Sequence, residues 1–122
     1  MQIGMRIKVH IISRTGKVSI ETYGWLNSHR LDFAVSVDRH NVITNRNSSV
    51  QRFLLEDVPK GYTHLMQIDD DAVLIRESQS ILTEQGDVVY LGMKSRNGQH
   101  AHYGNDDFGC TAFRLSAELL QK

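Results

Sequence analysis

Three consecutive carboxylates, Asp69, Asp70 and Asp71, are the residues whose type and spacing most directly indicate chemistry. They follow an apolar run at 62–68, which is typical of a short buried strand. Adjacent carboxylates repel one another, so a fold gains no stability from placing them side by side unless a cation offsets their charge. Mg²⁺ and Mn²⁺ prefer carboxylate oxygen and often keep substrate phosphates as further ligands. In a strand, Asp69 and Asp71 would point to the same side. The triplet therefore predicts a clamp for a metal and a diphosphate, with a solvated acidic turn or helix N-cap as the alternative.

The composition is that of one ordinary globular domain, and we expect residues 1–122 to form a single domain. Fourteen basic residues balance fourteen acidic ones, so the chain has no basic footprint for general nucleic-acid binding. No uncharged apolar run approaches the length of a membrane span, and the amino terminus lacks the pattern of a signal peptide. The single Cys110 cannot form an internal disulfide. Together these features predict a cytoplasmic protein without a transmembrane segment.

Apolar residues recur with the period of strands and of helices in turn along the chain. The period of two predicts strands at 6–13, 32–38, 62–68, 87–93 and 108–113. Helical spacing predicts helices at 18–27, 44–57, 76–85 and 115–122. This alternation predicts an α/β fold, a single layered domain with a mostly parallel central sheet flanked by helices.

Four polar segments are expected at the carboxyl edge of that sheet, where open α/β sheets bind their ligands. These segments are the loop at 13–17, the stretch at 38–47, the acid triplet and the loop at 94–107. The position of the triplet thus agrees with the chemistry of its side chains.

Four stretches of the chain, taken together, resemble the nucleotide-sugar-binding part of a glycosyltransferase with the GT-A fold. They are the opening strand and loop at 9–16, the strand at 32–38 with the helix through Phe53 and Leu54, the segment 63–73 and the segment 109–115. The third is the most specific, because it is similar to the apolar strand that ends in Asp-x-Asp in this family. Complete enzymes of this type are usually longer. The resemblance therefore implies a domain that is incomplete at its C-terminus, a minimal version, or one completed by another subunit.

The resemblance implies a metal site and a nucleotide-sugar site. Asp69 and Asp71 would bind Mn²⁺ or Mg²⁺, and Asp70 would contact a ribose hydroxyl or the donor sugar. The metal would screen the diphosphate and stabilise the negative charge that grows on the leaving group.

Four further residues are candidates for nucleotide-sugar binding, and each has a structural alternative. Thr15 could approach the base or the phosphates, although such a segment is more often an ordinary turn. Asp38 could accept hydrogen bonds from the base or ribose, or could simply begin a loop. Arg46 and Asn47 could reach base or phosphate, since Arg suits bidentate phosphate contact, or could mark a capped helix start.

A second chemical cluster lies in the polar loop and contains His100, His102, Asp106 and Asp107. Two His and two Asp could ligate a metal, but their spacing matches no standard zinc site. Asp106 or Asp107 could instead be the catalytic general base that deprotonates an acceptor hydroxyl. A solvated surface loop is the alternative.

The favoured hypothesis is a metal-dependent glycosyltransferase that passes a sugar from a nucleotide-diphospho-sugar to an acceptor. A non-catalytic module of the same fold, used for binding or oligomerisation, is the first alternative. A nucleotidyltransferase is the second, because a similar sheet and acid pair can serve that chemistry. A sheet this small can leave an edge or an apolar face exposed, which predicts a homo-oligomer.

Overall fold

The structure is a computed structural model, which describes residues 4–72, 74, 76–92 and 110–122. Its strands are β1 (Ile7–Ser13), β2 (Asp32–Val37), β3 (His64–Asp69), β4 (Val88–Gly92) and β5 (Cys110–Ser116). Its α-helices are α1 (Ile20–Ser28), α2 (Val42–Arg52) and the single-turn α3 (Ala117–Leu120). A π-helical turn (Phe53–Asp57) and two 3₁₀ segments (Val58–Lys60 and Arg76–Leu82) complete the described elements.

The five strands form one mixed sheet in the order β2-β1-β3-β5-β4. The pairings of β1 with β2 and with β3 are parallel, whereas those of β5 with β3 and with β4 are antiparallel. The α/β class is therefore confirmed, and a mostly parallel sheet is not. The physical reason for the difference is that apolar periodicity places side chains on faces of a sheet and does not determine the direction of a strand relative to its neighbours.

The helix expected at 44–57 is an α-helix that changes to a π-helical turn at Phe53, and a 3₁₀ turn follows it. Asn41 caps the start of α2, since its side-chain oxygen accepts hydrogen bonds from the amides of Ile43 and Thr44. The π-helical turn then buries both Phe53 and Asp57. The whole run ends at Gly61, whose φ of 98° is left-handed and suits glycine.

The later elements differ from expectation in their type and bounds. The helix expected at 76–85 is a 3₁₀ segment that ends at Leu82. The last strand begins at Cys110 and continues to Ser116, whose hydroxyl caps α3 by accepting from the amide of Leu119. The final helix is therefore shorter than the expected 115–122. No helix among the described residues is long and apolar enough to cross a membrane.

Two apolar clusters hold the sheet between its layers. On the face of α1, buried residues of the sheet, the helix and the 3₁₀ segment pack together with Leu74; they are Val9, Ile11, Trp25, Leu26, Met66, Ile68, Leu74, Ile81 and Ala112. On the face of α2, Phe53 packs with Tyr62, Leu65 and Ala117. Because β1 and β3 are buried on both faces, their carboxyl ends have fixed positions at one edge of the sheet.

Candidate functional site

A cavity of about 530 Å³ opens at the carboxyl ends of β1, β2 and β3. Its lining residues are Ile12, Arg14, Asp38, His40, Asn41, Val42, Asn45, Arg46, Asp69, Asp70 and Asp71. The strand β1 lies between β2 and β3, so the polypeptide runs from β1 to β2 on one side of β1 and then crosses to β3 on the other side. The cavity therefore lies at the switch point where open α/β sheets bind ligands.

The wall beside β2 is held by two side chains whose hydrogen bonds are directed at backbone. Asp38 accepts hydrogen bonds on Oδ1 from the amides of His40, at 2.8 Å, and Asn41, at 3.3 Å. The buried Asn45 donates from Nδ2 to the carbonyl oxygens of Ser13, at 3.1 Å, and Ser36, at 2.9 Å. Asn45 thereby ties α2 to the ends of β1 and β2 and fixes the shape of this wall.

The acid triplet forms the wall on the side of β3, and each carboxylate has a different environment. Asp69 is the last residue of the strand, and its Oδ1 lies 2.7 Å from Nη2 of Arg46. Asp70 accepts from the hydroxyl of Ser13 at 3.0 Å, and Asp71 is exposed. Because β3 ends at Asp69, the strand alternation expected to align Asp69 with Asp71 does not extend through the triplet.

Burial and neighbouring charges set the protonation of Asp69. Burial raises the pKa of the Asp69 carboxyl, and the guanidinium of Arg46 partly opposes this by lowering it. The carboxylates of Asp71 and Asp70 raise the same pKa further. Three acids therefore share one electrostatic environment, in which Arg46 is the cation that stabilises the ionised form of Asp69.

The charges along the cavity wall leave a negative excess. Four carboxylates face two guanidinium groups, those of Arg14 and Arg46. Within the described ranges there is no group of three or more His, Cys, Asp or Glu side chains that could hold a metal ion. A set of one or two carboxylates still fits Mg²⁺ or Mn²⁺, because such ions complete their shell with water and substrate phosphate.

Five of the predicted site residues line the same cavity: Asp38, Arg46, Asp69, Asp70 and Asp71. Thr15 and Asn47 are not in the described lining, although each is adjacent in sequence to a lining residue. The predicted catalytic residues Asp106 and Asp107, and with them His100 and His102, lie outside the described residues.

Several lining residues were not singled out from the sequence, among them Arg14, His40, Asn41 and Asn45. Each lies directly after β1 or within the 38–47 segment that was expected at this edge. Position at the carboxyl end of a strand is thus the signal that could have identified them.

A buried chain of polar side chains lies behind the cavity. Nε2 of Gln67 donates to the hydroxyl of Ser49 at 2.9 Å, and this hydroxyl lies 2.5 Å from Nδ1 of His10. Nε2 of His10 lies 3.1 Å from the carboxylate of Asp57. The residue types are those of a nucleophilic triad, but the ring nitrogens are used in the opposite order and Ser49 has no exposed surface. A substrate cannot reach Ser49, so these hydrogen-bonded side chains do not form a nucleophilic centre.

Acid is expected to destabilise the protein through protonation of the buried His10. Burial lowers the pKa of His10 below 6.5, with Arg52 and Lys8 acting in the same direction against Asp57. The unfolded state therefore takes up the proton first as the pH falls below about 6.5, and stability declines from there towards the folded-state pKa. We expect urea unfolding at pH 7.5 and 5.5 to show this loss, and His10→Gln to flatten the slope. An unchanged slope in that variant would assign the acid sensitivity to other groups, such as His64, whose pKa burial also lowers.

Comparison with known proteins gives one result on the fold and none on activity. No protein-family model matches the chain. No curated protein matches it either. The chain is similar to the crystal structure of A197 from STIV, with a TM-score of 0.65 and 21% sequence identity. The match covers 97% of this chain and 68% of A197. At that identity the likeness concerns the fold alone.

Proposed function

We propose that this chain binds a nucleotide-diphospho-sugar together with Mn²⁺ or Mg²⁺ in the cavity and takes part in transfer of the sugar to an acceptor. The observation that carries the proposal is the acid triplet at the tip of β3, in a cavity at the switch point of the sheet. The cavity volume of about 530 Å³ lies in the range of small-molecule and cofactor sites. The negative excess of its wall favours a ligand that brings a cation with it.

Each wall of the cavity suits one part of such a ligand. Asp71, which is exposed, and Asp69 provide oxygen ligands for the cation. The cation would supply a positive charge to the diphosphate and to the departing phosphate oxygen. Arg46 can donate charge-assisted hydrogen bonds to a phosphate, and Asp38 can accept from a base or ribose hydroxyl. Asp70 adds an acceptor for a ribose or sugar hydroxyl.

The transfer itself would break one bond and form one. The acceptor oxygen bonds to the anomeric carbon, and the bond from that carbon to the phosphate oxygen breaks. The nucleoside diphosphate departs with the electron pair. In an inverting reaction a carboxylate takes the acceptor proton, and Asp106 and Asp107 are the residues that we propose for this role.

A non-catalytic module of the same fold is the second candidate, and one observation favours it. The carboxylate of Asp69 already has a cationic partner at 2.7 Å in Arg46, which offsets part of the charge that would attract a metal. Such a module would retain the fold and the cavity without requiring a metal-dependent ligand.

Calorimetric titration distinguishes the two candidates. We expect wild-type protein to bind UDP or GDP in the presence of Mn²⁺ and only weakly without it. Asp71→Asn should weaken the metal-dependent binding by about tenfold or more, since it removes one charged ligand. The matched control is Glu56→Gln, which removes one exposed carboxylate away from the cavity lining and should bind as wild type.

Failure of a folded wild type to bind either nucleotide with Mn²⁺ would contradict the transferase proposal and favour the non-catalytic module. Metal-dependent binding that Asp71→Asn abolishes would justify a screen of donor sugars. Release of pyrophosphate rather than sugar transfer would instead indicate nucleotidyl transfer.

A further inference from the structure

The guanidinium of Arg46 is held at the cavity wall by groups from two strands. Its Nη2 donates to Asp69 at 2.7 Å, and its Nη1 donates to Oε1 of Gln67 at 3.3 Å. The ring of Phe113, on β5, lies 5.2 Å from its central carbon and adds a cation–π contact. A long and flexible side chain is thereby restricted in its orientation at the cavity lining.

Gln67 also binds the backbone of the same residue. Its Nε2 donates to the carbonyl oxygen of Arg46 at 3.0 Å and to the hydroxyl of Ser49 at 2.9 Å. The guanidinium and the backbone carbonyl of Arg46 are therefore both hydrogen-bonded to the side-chain amide of Gln67, which is 1% exposed. Gln67 makes three hydrogen bonds from an enclosed position, and the one to Ser49 is fully buried.

The buried side chains of Ser49, His10 and Asp57 fix the orientation of the Gln67 amide. The carboxylate of Asp57 only accepts, so a neutral His10 carries its hydrogen on Nε2 and accepts at Nδ1 from the hydroxyl of Ser49, which in turn accepts from Nε2 of Gln67. The Nε2 hydrogen of His10 is then directed at Asp57. Burial lowers the pKa of His10, which is consistent with this neutral ring. Every donor among these buried side chains thus has a single direction. A flipped Gln67 amide would place its Nε2 opposite Nη1 of Arg46, which is also a donor.

We propose that Gln67, anchored by Ser49, His10 and Asp57, is the positioning residue that holds the guanidinium of Arg46 in place for the phosphate of the ligand. This inference rests on the proposed function for the identity of the ligand. It does not depend on that function for the position of Arg46. An apolar side chain would fill the same space between β3 and α2 without desolvating an amide. Burial of the Gln67 amide is therefore unfavourable in free energy, and its hydrogen bonds to Arg46 offset this desolvation.

Gln67→Met tests this role, because methionine keeps an unbranched side chain of similar length and removes both the donor and the acceptor. The matched control is Met66→Leu, a volume-conserving change at the preceding residue of β3, which faces the opposite side of the sheet. Gln67→Glu is the conservative variant, since it retains an acceptor for Arg46.

The first measurement is the ¹⁵N–¹H signal of the Arg46 guanidinium in ligand-free protein. We expect a signal protected from solvent exchange in wild type and in Met66→Leu. Gln67→Met should lose that protection, and Gln67→Glu should recover part of it. An equally protected signal in Gln67→Met would overturn the proposal, whatever the protein binds.

The second measurement compares the affinity for Mn²⁺ alone with that for UDP and Mn²⁺ together. Gln67→Met should weaken the nucleotide complex by about tenfold, roughly what one hydrogen bond to a charged group contributes. Its affinity for Mn²⁺ alone should be equal to wild type or tighter, because Arg46 then competes less well for Asp69. Equal weakening of both would indicate general damage to the fold and would contradict a positioning role. If wild type binds no nucleotide, the function fails and the exchange measurement still decides the position of Arg46.

Discussion

Phe53→Ala is expected to lower the free energy of unfolding by about 3–5 kcal/mol, a typical value for removal of a buried aromatic ring. Phe53 is 0% exposed and packs with Tyr62, Leu65 and Ala117 on the face of α2. This cluster has few members, so the neighbours have little freedom to close the space that the ring would leave. The ring also lies at the junction of α2 and the π-helical turn.

Urea denaturation followed by circular dichroism measures this loss. The control is Leu55→Ala in the same turn, because Leu55 is 77% exposed and its truncation should change stability by less than about 0.5 kcal/mol. Equal effects of the two variants would show that the cluster on this face does not contribute to stability as its burial indicates.

Arg114→Ala is expected to cost about 2–5 kcal/mol, because it creates a cavity and leaves the carbonyl oxygen of the buried Ile81 without this donor. The Arg114 side chain has no exposed surface. Its guanidinium donates to the carbonyl oxygen of Ile81 at 2.5 Å, to that of Glu84, and to that of Gly86 at 3.4 Å. Arg114 thus attaches β5 to the end of the 3₁₀ segment at Arg76–Leu82 and to the residues that follow it.

Arg114→Lys separates the geometry of the guanidinium from its charge. Lysine keeps the charge but cannot span several carbonyl groups with a planar fork, so we expect it to recover less than half of the loss. The measurement is again urea denaturation, with the exposed Arg52→Ala as control. Full recovery by lysine would show that charge alone is needed at this position.

The pattern of apolar residues was sufficient to predict the first half of the fold. The strands at 6–13 and 32–38 and the helix at 18–27 agree with β1, β2 and α1 to within two residues at each end. β1 is buried over most of its length and α1 buries Trp25 and Leu26, whereas β2 is mostly half-buried. The direction of β5 could not be predicted, because alternation places side chains on faces and does not distinguish a parallel from an antiparallel neighbour.

The candidate site was predictable where it depends on strand ends and not where it depends on register. The prediction that loops meet at the carboxyl edge agrees with the cavity lining, in which Asp38, Arg46 and the acid triplet lie together. The buried chain depends instead on the pairing of His10 with Gln67 across β1 and β3. It also depends on the π-helical turn, which directs Asp57 inward. Neither feature has a signal in the spacing of residues along the chain.

The parallel pairing of β1 with β3 has a kinetic consequence. The hydroxyl of Ser13 and the carboxylate of Asp70 meet across 57 residues of sequence, and such long-range contacts form late and slowly in folding. The cavity wall is shared between these two strand ends. The wall of the cavity on the side of β3 is therefore complete only when β3 has docked beside β1. Any ligand of this cavity consequently selects the folded chain and stabilises it by mass action.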